Sequence, residues 1–240
     1  MRIAVLSDIH ANLAALDAVR ADLPAHDEVW ALGDIVGYGP QPNEVIRTLQ
    51  EMGARSVLGN HDGAAIGTVD AHDFNPEAAT AIRWTASVLD DNARAYLASL
   101  PAVRREGDLT AVHGSPRDPV WEYITSTSIA MANLDAFETR LCLFGHTHLP
   151  IVFAAQDGRG TALAALPDEP VALEAQRMLL NPGSVGQPRD GNPASSYLIV
   201  DTDANVAEFH RVAYDIAETQ RLMRQVDLPT RLVERLAWGR

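Results

Sequence analysis

Residues 143–148 read Leu-Phe-Gly-His-Thr-His and close the apolar run 141–144 with two histidines two positions apart. In an extended chain, side chains at i and i+2 lie on the same side, whereas a tight turn at Gly145 would aim His146 and His148 at two adjacent points. Neutral imidazole is the commonest nitrogen ligand of divalent metals. The segment therefore predicts a strand that ends in metal ligands, with a loop carrying two solvated histidines as the alternative.

The first sixty residues repeat this arrangement, because each short apolar run ends in polar residues. Continuous apolar runs are typical of strands buried on both faces. Between them, apolar residues recur at helical spacing, and Asn12 is a suitable cap for the first helix. The predicted strands cover residues 2–7, 28–32 and 55–58, and the predicted helices cover residues 12–23 and 43–52.

The rest of the chain continues with helices and then with a long stretch rich in strands. The change in composition predicts a second sheet with antiparallel turns, and nothing in the pattern indicates a linker, so we expect one domain over residues 1–240. Helices are predicted over 76–89 (capped by Asn75), 91–100, 129–137 and 216–238 (interrupted by Pro229), and strands over 109–112, 141–144, 151–155, 161–165, 172–174, 177–180, 197–201 and 206–213.

Composition excludes several classes of protein. The 240 residues carry a formal net charge of −13, and no basic run is longer than Arg104-Arg105, so a long nucleic acid is not expected as partner. The sequence has no apolar run long enough to span a membrane and no signal-peptide pattern, which predicts a cytoplasmic protein without membrane partners. The single cysteine, Cys142, lies among apolar residues and is expected in a buried strand.

The polar residues at the predicted strand ends are all potential metal ligands. In open α/β sheets the carboxyl ends of the strands line up at one edge, where ligands bind. Three donors can hold one metal, whereas seven or eight suggest two metals that share a ligand. A bridging carboxylate is best placed between the two sites, and Asp34 is the candidate for that position. Mixed ligation of this kind suits Mn, Fe, Zn, Co or Ni better than Mg or Ca. The donors are Asp8, His10, Asp34, Asn60, His61, His113, His146 and His148.

The order and spacing of these residues resemble the five motifs of the calcineurin-like metallophosphoesterases. The motifs are Asp8-x-His10, Gly33-Asp34, Gly59-Asn60-His61-Asp62, His113 and Gly145-His146-Thr147-His148. The segment Asn181-Pro182-Gly183-Ser184 further resembles a late motif of the small bacterial phosphodiesterase branch. The resemblance implies an α/β fold, a four-layer α/β/β/α sandwich with two mixed β-sheets.

The resemblance also implies roles for individual residues. One divalent ion would be held by Asp8, His10 and His148. A second ion would be held by Asn60, His113 and His146, and Asp34 would bridge the two ions. A hydroxide between the ions would attack phosphorus in line with the leaving group. His61 would protonate the leaving oxygen or stabilise the transition state, oriented by Asp62, which stands where many relatives have Glu. Manganese is the expected metal, with Fe, Zn, Ni and Co as alternatives.

The expected substrate is a small phosphate ester, and the late motif favours a phosphodiesterase. The alternatives are a phosphomonoesterase acting on nucleotides or phosphoproteins and a scaffold of the same fold without catalysis. Apolar segments near Trp84 and Trp121 are candidate interfaces of a homo-oligomer.

Several further residues could contact the substrate or serve only the structure. Arg117 and Arg189 lie in loops after predicted site segments and would either meet a phosphate or stay solvated. Tyr38, Trp121 and Tyr123 would either stack on a base or aryl group or anchor their loops. The histidines outside the motifs are predicted to be surface or structural residues: His26, His72 and His210.

Overall fold

Two six-stranded β-sheets form the centre of the computed structural model, which describes residues 1–167 and 169–240. The first sheet contains, in spatial order, Arg55–Ser56 (β3), Glu28–Ala31 (β2), Arg2–Leu6 (β1), Ser195–Asp201 (β11), Val206–Val212 (β12) and Val171–Ala172 (β9). The second contains Val103–Glu106 (β4), Leu109–Val112 (β5), Leu141–Leu143 (β6), Arg177–Pro182 (β10), Pro150–Gln156 (β7) and Arg159–Ala164 (β8).

Both sheets are mixed, and their parallel parts carry the predicted site segments. In the first sheet β1 is parallel to β2 and β2 to β3, while β11 runs antiparallel to β1. In the second sheet β6 is parallel to both β5 and β10, and β7 is antiparallel to β10. The carboxyl ends of the parallel strands within each sheet therefore reach the same edge.

The apolar run of β1 is continuous because the strand is buried on both faces. Ile3 and Val5 belong to the core between the two sheets, whereas Ala4 and Leu6 belong to the core between the first sheet and its helices. A strand with one solvated face would alternate apolar and polar residues instead.

Helices cover the outer face of each sheet, which gives the four-layer arrangement predicted from the resemblance. The helices are Leu13–Asp22 (α1), Pro42–Glu51 (α2), Asn60–Ala65 (α3), Pro76–Val88 (α4), Asp91–Ser99 (α5), Thr127–Ala132 (α6), Ile216–Gln225 (α7) and Thr230–Arg235 (α8). Residues of α1, α2 and α5 pack on the first sheet, and α6 packs on the second beside Phe144 and Phe153. A separate cluster joins α4 to α7 and α8.

Most predicted elements are present, and both predicted caps are confirmed, because Asn12 accepts a hydrogen bond from Ala15 N and Asn75 accepts one from Ala78 N. Strand β4 was not predicted: it is a sheet edge whose Arg-Arg-Glu sequence lacks an apolar pattern. The predicted helix 129–137 is wrong at its end, where the chain forms a separate 3₁₀ turn. Among the described residues, no helix is long and apolar enough to cross a membrane.

Candidate metal centre

The loops that follow β1 and β2 are joined along their backbones. Asp8 N donates to Gly33 O at 3.1 Å, and His10 N donates to Asp34 O at 2.9 Å. Because β1 and β2 are parallel neighbours, these bonds extend the sheet pairing beyond the strand ends. They fix the backbones of Asp8, His10 and Asp34 relative to one another without any side-chain contact.

The second sheet brings its histidines to the same place. Gly145 N donates to His113 O at 2.8 Å, which couples the ends of β5 and β6. His146 N donates to Asp8 Oδ2 at 3.1 Å and so ties the second sheet to the first.

The late motif at residues 181–184 supports these loops from behind. Asn181 Nδ2 donates to Gly145 O at 2.7 Å and to Thr147 Oγ1 at 3.0 Å. Ser184 Oγ donates to Asp8 O at 2.8 Å. Because all these groups are buried, the motif positions the site loops and leaves the pocket to other residues.

Five of the predicted ligands have left-handed backbones. Asp8, His10, Asp34, His146 and His148 have φ between 49° and 66°. This conformation is sparsely populated for residues other than glycine and costs on the order of 1–3 kcal/mol each. The surrounding hydrogen bonds hold these residues in it, and strain of this kind gathers at functional sites.

One half of the site contains Asp8, His10, Asp34 and His148, each with a ligand atom within 4.8 Å of the others. His148 Nε2 lies 3.2 Å from Asp8 Oδ1 and 3.2 Å from His10 Nε2. His10 Nε2 lies 3.7 Å from Asp34 Oδ2. All four side chains are buried.

The other half contains Asp34 again, with Asn60, His113 and His146. His113 Nε2 lies 3.4 Å from Asp34 Oδ2, 3.1 Å from Asn60 Oδ1 and 3.0 Å from His146 Nδ1. The same Asp34 oxygen therefore faces both halves, which is the arrangement expected of a bridging carboxylate. The structure thus brings together all seven residues predicted as metal ligands.

The chemistry of these donors fits divalent cations. Each imidazole has its outer ring nitrogen against a backbone carbonyl: His10 on Val36 O (3.2 Å), His113 on Leu32 O (2.9 Å), His146 on Trp121 O (3.1 Å) and His148 on Gln187 O (2.5 Å). Such bonds orient metal-binding histidines and leave the inner nitrogen free. Among the described residues, Asp8 Oδ1 is buried without a hydrogen-bond partner.

Burial and the mixture of charges shift the pKa values in the cluster. Burial raises the pKa of Asp8 to about 7. Burial also disfavours the charged form of Asp34, but His113 and His61 outweigh it and hold the Asp34 pKa well below its usual value. Burial lowers the pKa of His10 and His148 well below their usual range. Burial therefore favours neutral rings at His10 and His148, whereas at His113 the effect of burial is outweighed by Asp34, which raises the His113 pKa to about 9.

His61 lies directly beside this cluster. Its ring is 4.9 Å from the His10 ring and 4.4 Å from the Tyr38 ring, measured between centroids. Its backbone N donates to Asp34 Oδ1 at 2.9 Å. Burial lowers the pKa of His61 to about 4.

The role predicted for Asp62 needs a correction. Asp62 Oδ1 accepts from Val36 N at 2.9 Å and Oδ2 accepts from Gly59 N at 3.0 Å, so the carboxylate does not orient the His61 ring. Within the described chain, His61 Nδ1 has no hydrogen-bond partner. An aspartate is too short to reach past the backbone amides, and it fixes the start of α3 instead.

A pocket of about 190 Å³ lies over the cluster. Arg189 lines it, whereas Arg117 pairs with Glu122 and stays outside. Tyr38 is only 5% exposed, but Tyr123 is 45% exposed and stacks on His146 with 3.7 Å between centroids. Phe74 and Asn75, at the start of α4, were not predicted to line the pocket, because nothing in their sequence distinguishes them from any helix start.

The remaining predictions concern side chains outside the pocket. Cys142 is buried in β6, as predicted. His26 and His72 are exposed, and His210 stacks on Tyr197, which agrees with surface or structural roles. Trp84 packs against the cluster of α4, α7 and α8, and Trp121 packs on Phe74, so neither forms an isolated apolar patch.

Comparisons with known proteins agree with this architecture. Residues 1–205 match the family model of the calcineurin-like phosphoesterase superfamily domain. An uncharacterized protein of Methanocaldococcus jannaschii is 38% identical over 99% of this chain and 98% of its own length. The crystal structure of a metallophosphoesterase from Sphaerobacter thermophilus is 46% identical and covers 100% of both chains, with a TM-score of 0.92.

A more distant relative carries a functional name. The symmetrical bis(5'-nucleosyl)-tetraphosphatase of Methylococcus capsulatus is 35% identical over 136 residues, which are 52% of this chain and 44% of that protein. The match therefore spans less than half of that relative's length.

Proposed function

The chain belongs to the calcineurin-like phosphoesterase superfamily and is a metal-dependent phosphoester hydrolase, and we propose that it is a dimetal phosphodiesterase. The observation that carries the proposal is the position of Asp34 Oδ2, 3.7 Å from His10 Nε2 and 3.4 Å from His113 Nε2. One carboxylate oxygen between two sets of donors supports two ions that share a ligand.

The residues divide into two sets around Asp34. Asp8, His10 and His148 would hold one ion, and Asn60, His113 and His146 the other, with Asp34 common to both. Manganese suits this mixture of imidazole, carboxylate and amide, and Fe, Zn, Ni and Co are alternatives. When bound, the two ions lower the pKa of a water molecule and neutralise charge on the phosphate.

The other residues of the pocket bind and orient the substrate. His61 donates a proton or a hydrogen bond to the leaving oxygen, and its ring is held by packing against His10, Tyr38 and Phe74. Asp62 is a positioning residue, because its two bonds to backbone amides fix the turn that carries Asn60 and His61.

A diester is favoured over a monoester by the space around the pocket. The pocket over the cluster shares the lining residues Tyr38, Tyr123 and Arg189 with an adjacent cavity of about 880 Å³. A monoester places one substituent on phosphorus, whereas a diester needs room for two. The second candidate is a phosphomonoesterase, which the same donor set would serve. A scaffold without catalysis is disfavoured by the complete donor set and by His61.

The test is a metal-reconstitution assay. The purified protein is stripped with a chelator, restored separately with Mn, Ni, Zn or Mg, and assayed with bis-aryl and mono-aryl phosphates. We expect activity that depends on added metal and a higher kcat/KM for the diester. A preference for the monoester would replace the phosphodiesterase by the phosphomonoesterase. Inactivity with every metal would favour the scaffold.

A further inference from the structure

Arg189 is the one arginine, among the described residues, that lines the pocket over the cluster. Arg117, the other arginine considered for phosphate binding, donates to Glu122 at 3.2 Å and stays outside this pocket. Two carboxylates line the same pocket, those of Asp34 and Asp73, and Arg189 forms an ion pair with neither. The guanidinium at the pocket is therefore not committed to a carboxylate there.

The loop that carries Arg189 is fixed on both sides of the residue. Arg189 lies between β10 and β11. Two positions before it, Gln187 O faces Nδ1 of His148 at 2.5 Å, which joins the loop to a predicted metal ligand. Two positions after it, Gly191 N donates to Gly239 O at 2.9 Å, which joins the loop to the end of the chain. The backbone therefore holds Arg189 in a defined position beside the metal centre.

The guanidinium group has a buried donor that no protein group accepts. Arg189 Nη2 donates to Gln187 Oε1 at 3.0 Å, whereas Arg189 Nε is buried and has no hydrogen-bond partner among the described residues. A guanidinium carries five N–H donors and no acceptor, and a buried donor without an acceptor is unfavourable. A ligand that brings acceptor oxygens into the pocket would remove this deficit.

The charge of Arg189 acts on rings of the metal centre. Burial is the main cause that lowers the pKa of His148, and the Arg189 charge is the next. Burial also lowers the pKa of His61, to about 4; Asp34 opposes this effect, and Arg189 adds to it. The guanidinium is therefore close both to a predicted metal ligand and to the ring proposed to act on the leaving oxygen.

We propose that Arg189 binds a non-bridging oxygen of the phosphate that is attacked. Arginine matches the oxygen geometry of phosphate and keeps its charge. That charge would offset the negative charge that builds up on the non-bridging oxygens during the attack. The assignment rests on the proposed function, because it names one more residue that contacts the substrate of that reaction.

Calorimetry with inorganic phosphate and the manganese-loaded protein tests the contact without turnover. Arg189→Gln should weaken phosphate binding about tenfold or more, the loss expected for a charge-assisted hydrogen bond, and Arg189→Lys should recover part of it. Manganese content should not change, because Arg189 is not among the grouped donor atoms.

The matched control is Arg231→Gln. Arg231 lines the adjacent cavity but not the pocket over the cluster, and it is paired with Glu77 at 3.7 Å. This variant removes the same charge nearby, so it measures the general effect of charge on an anion. It should bind phosphate like the wild type. No phosphate binding by the wild type, or equal losses in Arg189→Gln and Arg231→Gln, would overturn the assignment.

Kinetics with a series of bis-aryl phosphates identify which oxygen Arg189 contacts. Arg189→Gln should lower kcat/KM about tenfold or more, by the same factor for good and poor leaving groups, because a non-bridging oxygen does not depart. A loss that grows as the leaving group becomes poorer would overturn the assignment, because it would place Arg189 at the leaving oxygen. If the wild type hydrolyses no ester, the proposed hydrolase fails, and the phosphate titration still decides the role of Arg189.

Discussion

The Nε2 atoms of His10 and His148 lie 3.2 Å apart, although 138 positions separate the two residues in the chain. Their Nδ1 atoms face the carbonyl oxygens of Val36 and Gln187, so each neutral ring carries its proton on that side. Two nitrogen lone pairs then point at each other in a buried site. Burial holds the pKa values of both rings well below the usual range, so protonation of either ring does not readily relieve the repulsion between the lone pairs. A metal cation bound between the two nitrogens would relieve it.

Replacing Asp34 should disable both halves of the centre at once. Asp34→Asn keeps the size of the side chain but removes the charge that faces His10 and His113. We expect turnover to fall by about a thousandfold or more, since several kcal/mol of charge stabilisation are lost. Metal analysis should show weaker retention of both ions.

The control for this variant is Asp17→Asn, which makes the same change at an exposed position of α1. It should behave like the wild type in both measurements. Activity of Asp34→Asn close to that of the wild type would show that the carboxylate does not bridge.

His61→Ala should separate catalysis from metal binding. His61 lies beside the cluster, but its ring nitrogens are not among the grouped donor atoms. We expect unchanged metal content and a rate reduced about 100- to 10,000-fold, with the smallest loss for substrates with good leaving groups. His72→Ala, at a fully solvated position, is the control. A rate loss independent of the leaving group would contradict the role at the leaving oxygen.

Gly37 keeps the space in which the His61 ring sits. A Cβ at Gly37 would lie 2.5 Å from His61 Nδ1, and the residue has φ of +85°. Gly67 has nearly the same φ, +81°, but nothing lies within 4 Å of its Cβ position. Alanine at either position should cost about 1–2 kcal/mol of unfolding free energy from backbone strain. Only Gly37→Ala should also lose activity, on the order of a hundredfold, because a displaced His61 is misaligned.

Urea unfolding and kcat/KM, measured on both glycine variants, check this prediction. Equal activity in Gly37→Ala and Gly67→Ala would mean that the placement of His61 is not critical.

Metal binding should stabilise the protein more as the pH rises. Burial raises the pKa of Asp8 to about 7 and, although burial opposes it, Asp34 raises the pKa of His113 to about 9. At these two groups the folded metal-free protein therefore binds more protons than the unfolded chain, and the stability that depends on those protons is lost as the pH rises through 7 and then 9. Bound metal replaces those protons.

Thermal melts with and without metal, at pH 6.5 and pH 9, measure this effect. The increase in Tm caused by the metal should be larger at the higher pH. An increase that is constant or falls with pH would contradict the assignment of Asp8 and His113 as ligands.

The sequence was sufficient to predict which donor side chains lie together, because parallel strands fix where their ends lie. Asp8, Asp34 and Asn60 follow β1, β2 and β3, and the short loops leave their side chains little freedom. Left-handed backbones at Asp8 and Asp34 could not be inferred, since the tertiary hydrogen bonds that hold them are not local.

What could not be predicted depends on long-range packing. Arg189 and Arg235 line the same cavity because the packing of α4, α7 and α8 places the C-terminal residues next to the site. The role of Asp62 was misjudged because its partners, Val36 N and Gly59 N, are backbone groups that no sequence pattern marks.

Anomalous diffraction from crystals grown with manganese tests the central claim most directly. We predict two peaks per chain on either side of the Asp34 carboxylate, roughly 3.5–4 Å apart, as in other two-metal sites. One peak should contact Asp8, His10 and His148, and the other Asn60, His113 and His146. A single peak, or peaks away from Asp34, would contradict the shared-carboxylate centre.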